Sequence, residues 1–101
     1  MEQLVNVMQH VLRVDDWAIH LEEDPDILTG FVRFDREMRS AHILYNPETI
    51  TAHHIRHEMI HVLLHDMSFA ASNGRSIEMM EVINMLEERV CNVLAEAFEY
   101  L

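Results

Sequence analysis

Apolar residues recur along this chain with two different periods, and the changes of period divide it into six elements. Leu4, Val5, Met8, Val11 and Leu12 fall at helical spacing, which predicts an amphipathic helix over residues 2–13 that packs on a core. Trp17, Ile19 and Leu21 then alternate with Asp16, Ala18, His20 and Glu22, the pattern of a half-buried strand, and Asp24-Pro25-Asp26 ends it. Residues 30–36, with Phe31, Val32 and Phe34, read as a second strand, and Arg36-Glu37-Met38-Arg39 as the turn into a third at 41–45. Asn46 as N-cap, Pro47 at the first helical position and Glu48 in the first turn predict a helix over 47–67. Residues 68–76, with Asn73-Gly74, form a loop, and a long helix runs from Ser76 nearly to the end. Its apolar stripe is Met79, Val82, Ile83, Leu86, Val90, Val93, Leu94, Ala97 and Leu101.

The order helix, strand, strand, strand, helix, helix predicts an α+β fold with a mixed or antiparallel three-stranded sheet, one face of it buried by helices. With 101 residues, half of them apolar, the expectation is a single domain over residues 1–101. A formal net charge of −11 argues against a nucleic-acid or anionic-membrane surface. The single cysteine, Cys91, rules out an internal disulfide framework and fits a reducing compartment. The acidic N-terminus does not read as a signal peptide, and no apolar run has membrane-spanning length, so a soluble, cytoplasmic chain is expected.

The chemistry concentrates in His57-Glu58-Met59-Ile60-His61, an HExxH motif within the fifth element. Two histidines four residues apart on a helix share one face, so both imidazoles can reach one tetrahedral zinc ion. The glutamate beside the first histidine is then placed as the general base for a water on the metal. The chain carries 8 histidines, so the motif alone is modest support. Its setting strengthens it: Ile55, Met59, Ile60, Val62, Leu63 and Leu64 make the helix strongly apolar, and a His-Glu-His stripe there is costly to bury unless paired or metal-bound.

A catalytic zinc needs a third protein ligand and an open position. His65 continues the stripe, but a straight helix carries it about 6 Å beyond His61, too far to share the ion, so it reads as structural or as a support for a ligand. The same objection holds for His53. The last helix offers Glu88 and, as second choice, Glu87. Glu88 lies opposite the apolar stripe, yet its helical neighbours Asn84, Cys91, Asn92 and Ala95 are small and uncharged, which allows another helix to approach. Asn92, one turn on, is placed to orient a ligand.

The motif followed by Glu88-Arg89-Val90-Cys91-Asn92 on a later helix resembles the gluzincin metallopeptidases, and the short chain resembles the minigluzincins. Residues 57–66 with 88–98 also resemble the core of the ImmA/IrrE-type proteases, whose E-x-x-A-N-x-F-A-x-x-L segment is similar to Glu88–Phe98, with departures at Cys91 and Leu94. The likeness covers roughly residues 41–98. It implies a minimal zincin-like scaffold with an active-site helix and a C-terminal glutamate helix, one Zn²⁺ held by His57, His61 and Glu88, and Glu58 as general base. It also implies a peptide or protein substrate held along an edge strand, for which residues 30–36 are the candidate.

The reading is therefore a zinc metallopeptidase. Donors for the oxyanion are sought among His53, His54, Tyr45 and Tyr100. Two other classes remain open. One is a latent or structural zinc protein, with Glu99-Tyr100-Leu101 as a tail that could enter the cleft; the other is a pH-sensitive or nickel-binding histidine surface.

Overall fold

The alternation of Ile19 with Leu21, Val32 with Phe34 and Ala41 with Ile43 puts one apolar row from each strand on the same side of a sheet. The computed structural model describes residues 1–99, in the predicted order of elements. These are α1 (Glu2–Val11), β1 (Ala18–Glu23), β2 (Gly30–Asp35), β3 (Ser40–Tyr45), α2 (Ala52–Ser72) and α3 (Ile77–Ala97). The sheet is mixed, with order β1-β3-β2. β3 is central, parallel to β1 with Ile19 opposite Ala41, and antiparallel to β2 with Val32 opposite Ile43. β2 is therefore an edge strand.

The buried row of β3, Ala41 and Ile43, meets Ile55, Met59, Ile60 and Val62 of α2, and Val5, Met8, Leu12 and Trp17 extend the same core. α1 ends at Val11 with Leu12 as C-cap, Arg13 at φ 56° turns the chain away, and Gln9 Nε2 donates to the Trp17 carbonyl at 2.7 Å to fasten the turn that follows.

Two boundaries differ from the sequence reading. Asn46-Pro47-Glu48 makes a single turn, not the start of α2. Asn46 Oδ1 accepts from the Glu48 amide at 3.0 Å, while its Nδ2 donates to the Ile27 carbonyl at 3.0 Å. Thr49 Oγ1 also donates to the Leu28 carbonyl at 2.6 Å. These bonds tie the turn to the β1–β2 connection, and the chain then restarts with Thr51 as N-cap, its hydroxyl accepting from the His54 amide. At its other end α2 runs on to Ser72, leaving a short connection closed by Gly74 at φ 75°.

The third difference concerns which face of α3 packs. Cys91 and Ala95 are its buried residues, with Glu87, Leu94 and Phe98 beside them partly covered. The predicted stripe points elsewhere: Met79, Val82, Leu86, Val90 and Val93 are between 41 % and 61 % exposed. Small side chains let α2 and α3 approach closely, and that contact rotates the larger apolar residues outwards.

The β2–β3 turn is clamped to α2 by charge. Arg39 has a left-handed φ of 50°, a strain on the order of 1 kcal/mol. Its guanidinium donates to both oxygens of Asp66 at 2.8 and 2.9 Å and to Asp16, and lies 4.0 Å over the Trp17 ring. Arg36 adds a bond to Asp66 at 2.8 Å. Hydrogen bonds from Arg39 first, then Arg36, hold the Asp66 carboxyl below its ordinary value of 3.8. A depressed carboxyl pKa stabilises the fold above the unfolded value, and that contribution is lost as pH falls through the folded one. Asp66→Asn is expected to cost on the order of 1 kcal/mol at pH 7, since the network is solvent-screened. Thermal unfolding should show the wild-type and variant curves converging as pH is taken below 3.8.

Candidate metal centre

α2 must turn Ile55, Met59, Ile60 and Val62 to the core, and its period then sends His57, Glu58 and His61 towards β2 and α3. They form one wall of an open cleft of about 460 Å³; Glu87 and Glu88 of α3 close one side, and Gly30, Phe31, Val32 and Phe34 of the edge strand make the other.

Three donors converge in it. His57 Nε2 and His61 Nε2 are 3.2 Å apart. Glu88 spans both, with Oε2 at 3.2 Å from His57 Nε2 and Oε1 at 2.7 Å from His61 Nε2. Ligands of a tetrahedral zinc stand about 3.3 Å from one another, so these spacings fit one ion with small adjustment. The histidine tautomer fits as well. His61 Nδ1 lies 2.8 Å from Glu87 Oε2, and Glu87 Oε1 accepts from the Ser68 hydroxyl. In the neutral ring this holds the proton on Nδ1 and leaves the Nε2 lone pair facing His57. Burial, the largest influence, lowers the pKa of His57, which favours the neutral, metal-ligating form.

Glu58 stands differently. Burial pushes its carboxyl from 4.5 up to about 7, His61 opposes this, Glu88 adds to it, and a bond from the Val32 backbone pulls it down. The general-base candidate therefore adjoins the edge strand and is poised to exchange a proton near neutrality.

Some sequence expectations fall elsewhere. Asn92 is exposed and its side chain makes no hydrogen bond among the described residues; the orienting bond to a histidine comes from Glu87 instead. His65 is structural, stacked on Phe34 with ring centroids 3.7 Å apart and edge-on to Trp17 at 5.6 Å. His53, His54 and Tyr45 do not line the cleft: His54 pairs with Thr51, and the Tyr45 hydroxyl donates towards Glu23. Tyr100, and with it most of the Glu99-Tyr100-Leu101 tail, lies outside the described residues.

One neighbour was missed. Cys91 is fully buried, and its sulfur and one nitrogen each of His57 and His61 lie within 4.8 Å of one another. Burial first, then the carboxylates of Glu87, Glu88 and Glu58, push its thiol up to about 12. Its position three residues after Glu88 was the available signal, read as small size rather than as sulfur.

Scans against protein-family models, curated proteins and solved structures returned no match for this chain. No helix among the described residues is long and apolar enough to cross a membrane.

Removing Glu88 takes away the only carboxylate among the described residues that bridges both histidine Nε2 atoms. Elemental analysis after dialysis against a mild chelator should give about one zinc per wild-type chain and a substoichiometric amount for Glu88→Ala. Glu87→Gln keeps the site but weakens the hold on His61, and competition with a chromophoric chelator should show zinc affinity reduced about 10- to 100-fold.

Proposed function

We propose that this chain is a zinc-dependent metallopeptidase with a site of the gluzincin type, in which His57, His61 and Glu88 hold one ion. The observation that carries the reading is the convergence of both Nε2 atoms and both Glu88 oxygens within 3.2 Å, with Glu58 beside an open strand edge. When bound, zinc supplies an acidified water and polarises the carbonyl to be attacked. The chain's own groups do the rest. Glu58 accepts the proton of the attacking water and delivers it to the departing amine; burial raises its carboxyl, and a divalent ion beside it would pull it back towards the carboxylate that a base must be. Glu87 keeps His61 in the tautomer that points its lone pair into the cleft. β2 takes an extended peptide by strand addition, with exposed Phe31 offering an apolar contact. The net charge of −11 favours neutral or basic peptides. The lone buried cysteine suits a reducing, cytoplasmic setting.

A second reading follows from Cys91. Its sulfur clusters with His57 and His61; were Glu88 to join these three, the ion would be closed by four protein ligands with no place for water, as in a structural or latent zinc site. The two readings separate experimentally. Under the peptidase reading, zinc-loaded protein cleaves a fluorogenic peptide library, Glu58→Gln lowers kcat by about 10² or more with zinc content unchanged, and Cys91→Ala keeps both zinc and activity. Under the closed-site reading, Cys91→Ala loses zinc and the Glu58→Gln substitution changes no turnover. Absence of stoichiometric zinc in the wild type would sink both.

A further inference from the structure

A neutral His61 carries one proton, and its surroundings offer that proton two places. At Nδ1 stands Glu87 Oε2, 2.8 Å away. At Nε2 stand His57 Nε2 at 3.2 Å and Glu88 Oε1 at 2.7 Å. Only a proton on Nδ1 leaves the Nε2 lone pair free in the cleft. Whatever fixes Glu87 therefore sets which nitrogen His61 can offer to a cation.

A glutamate side chain has several rotatable bonds and does not stay in one rotamer unaided. Glu87 is held at both oxygens. Oε2 faces His61, and Oε1 accepts from the Ser68 hydroxyl. Its side chain is 18 % exposed, against 55 % for Glu88, so little water reaches it to replace a lost donor. His61 and Ser68 are seven residues apart on α2, two turns, and so share the face turned to α3. The Glu87 carboxylate, arriving from α3, bridges them. A serine inside a helix commonly gives its single proton to the carbonyl four residues back. Ser68 gives it across the helix contact instead. The sequence pattern puts Ser68 at the start of a loop; the continuation of α2 to Ser72 brings it onto this face.

We infer that Ser68 is a positioning residue of the metal centre: its hydroxyl fixes the Glu87 carboxylate, which keeps the His61 proton on Nδ1 and turns Nε2 into the cleft. Ser68 acts only through Glu87. The use made of the freed Nε2 rests on the proposed zinc site, whereas the chain Ser68–Glu87–His61 does not.

Two readouts test it. The first is the nitrogen-15 spectrum of the histidine rings in metal-free protein, with the pH raised until His61 carries a single proton. Wild type is expected to show His61 protonated on Nδ1, and Ser68→Ala to move population to the Nε2-protonated form. The second is zinc affinity, by competition with a chromophoric chelator. Ser68→Ala should lower it about tenfold, and Ser68→Thr, which keeps the hydroxyl, should stay within about twofold of wild type. With Glu87→Ala already present, adding Ser68→Ala should change affinity by less than about twofold, because a residue that acts through Glu87 has nothing left to act on. Alanine favours a helix more than serine does, so circular dichroism should show a folded variant; Ser68→Cys, a weaker donor, carries the same test should Ser68→Ala fail to fold. An unchanged tautomer in Ser68→Ala, even with lowered thermal stability, makes Ser68 a plain clamp between helices and overturns the inference. So does a loss in Ser68→Thr as large as in Ser68→Ala, or an undiminished effect of Ser68→Ala beside Glu87→Ala. A wild type that binds no zinc would sink the metal reading alone, and the tautomer spectra would then decide for or against Ser68.

Discussion

Everything chemical in this molecule depends on how closely α3 approaches α2. The contact runs through Cys91 and Ala95, both fully buried. Only side chains of this size let the backbone of α3 come near enough for the short arms of Glu87 and Glu88 to reach imidazoles on the neighbouring helix. A larger residue at either position would overpack the contact, which usually costs about 1–3 kcal/mol, and would also lift both carboxylates away from the histidines. The fold and the site are thus held by the same pair of small residues. The sheet contributes from the other side: β3 supplies the floor on which α2 rests, and β2, paired only on its β3 side, brings a strand edge to Glu58.

That approach creates an electrostatic imbalance. Glu58, Glu87 and Glu88 bring three carboxylates into one cleft, against two imidazoles of which His57 is biased by burial towards the neutral form. The rise of Glu58 to about 7 comes first from burial, with Glu88 adding to it. A divalent cation between the Nε2 atoms would offset this excess. The proposed cation would thus relieve a set of His–Glu contacts whose desolvation is poorly compensated in a partly buried setting.

Much of this was legible in the residues. Period-two alternation located the strands, and the HExxH spacing placed both imidazoles on one side of α2. The run of small residues around Glu88 pointed to helix approach. What the sequence misplaced has a common physical cause. Asn46-Pro47-Glu48 carries genuine helix-start chemistry, but Asn46 and Thr49 spend it on carbonyls of the 24–29 connection, distant in sequence, and Thr51 becomes the cap. The stripe from Met79 to Val93 is a genuine amphipathic face, but amphipathicity says only that a face is apolar, not that α2 covers it. Asn92 and Glu87 differ by how α3 is rotated about its axis: with Cys91 and Ala95 turned inwards, Glu87 meets His61 and Asn92 meets solvent. Tertiary contacts set that rotation, and local patterns do not encode it.

The metal centre and the apolar groove are not independent surfaces. Glu87 and Ser68 lie at the groove and bond to each other, and Glu87 also fixes His61. The apolar lining of the groove, Leu64, Ile83, Leu86 and Val90, keeps the surroundings of this pair poor in water, which strengthens a satisfied hydrogen bond and raises the cost of breaking it. The coupling has a definite sign. A firmer Glu87–Ser68 pair holds His61 more firmly in the tautomer that turns Nε2 into the cleft. One carboxylate, Glu87, is thereby shared between two faces of the α2–α3 contact, so packing in the groove and the orientation of His61 do not change separately.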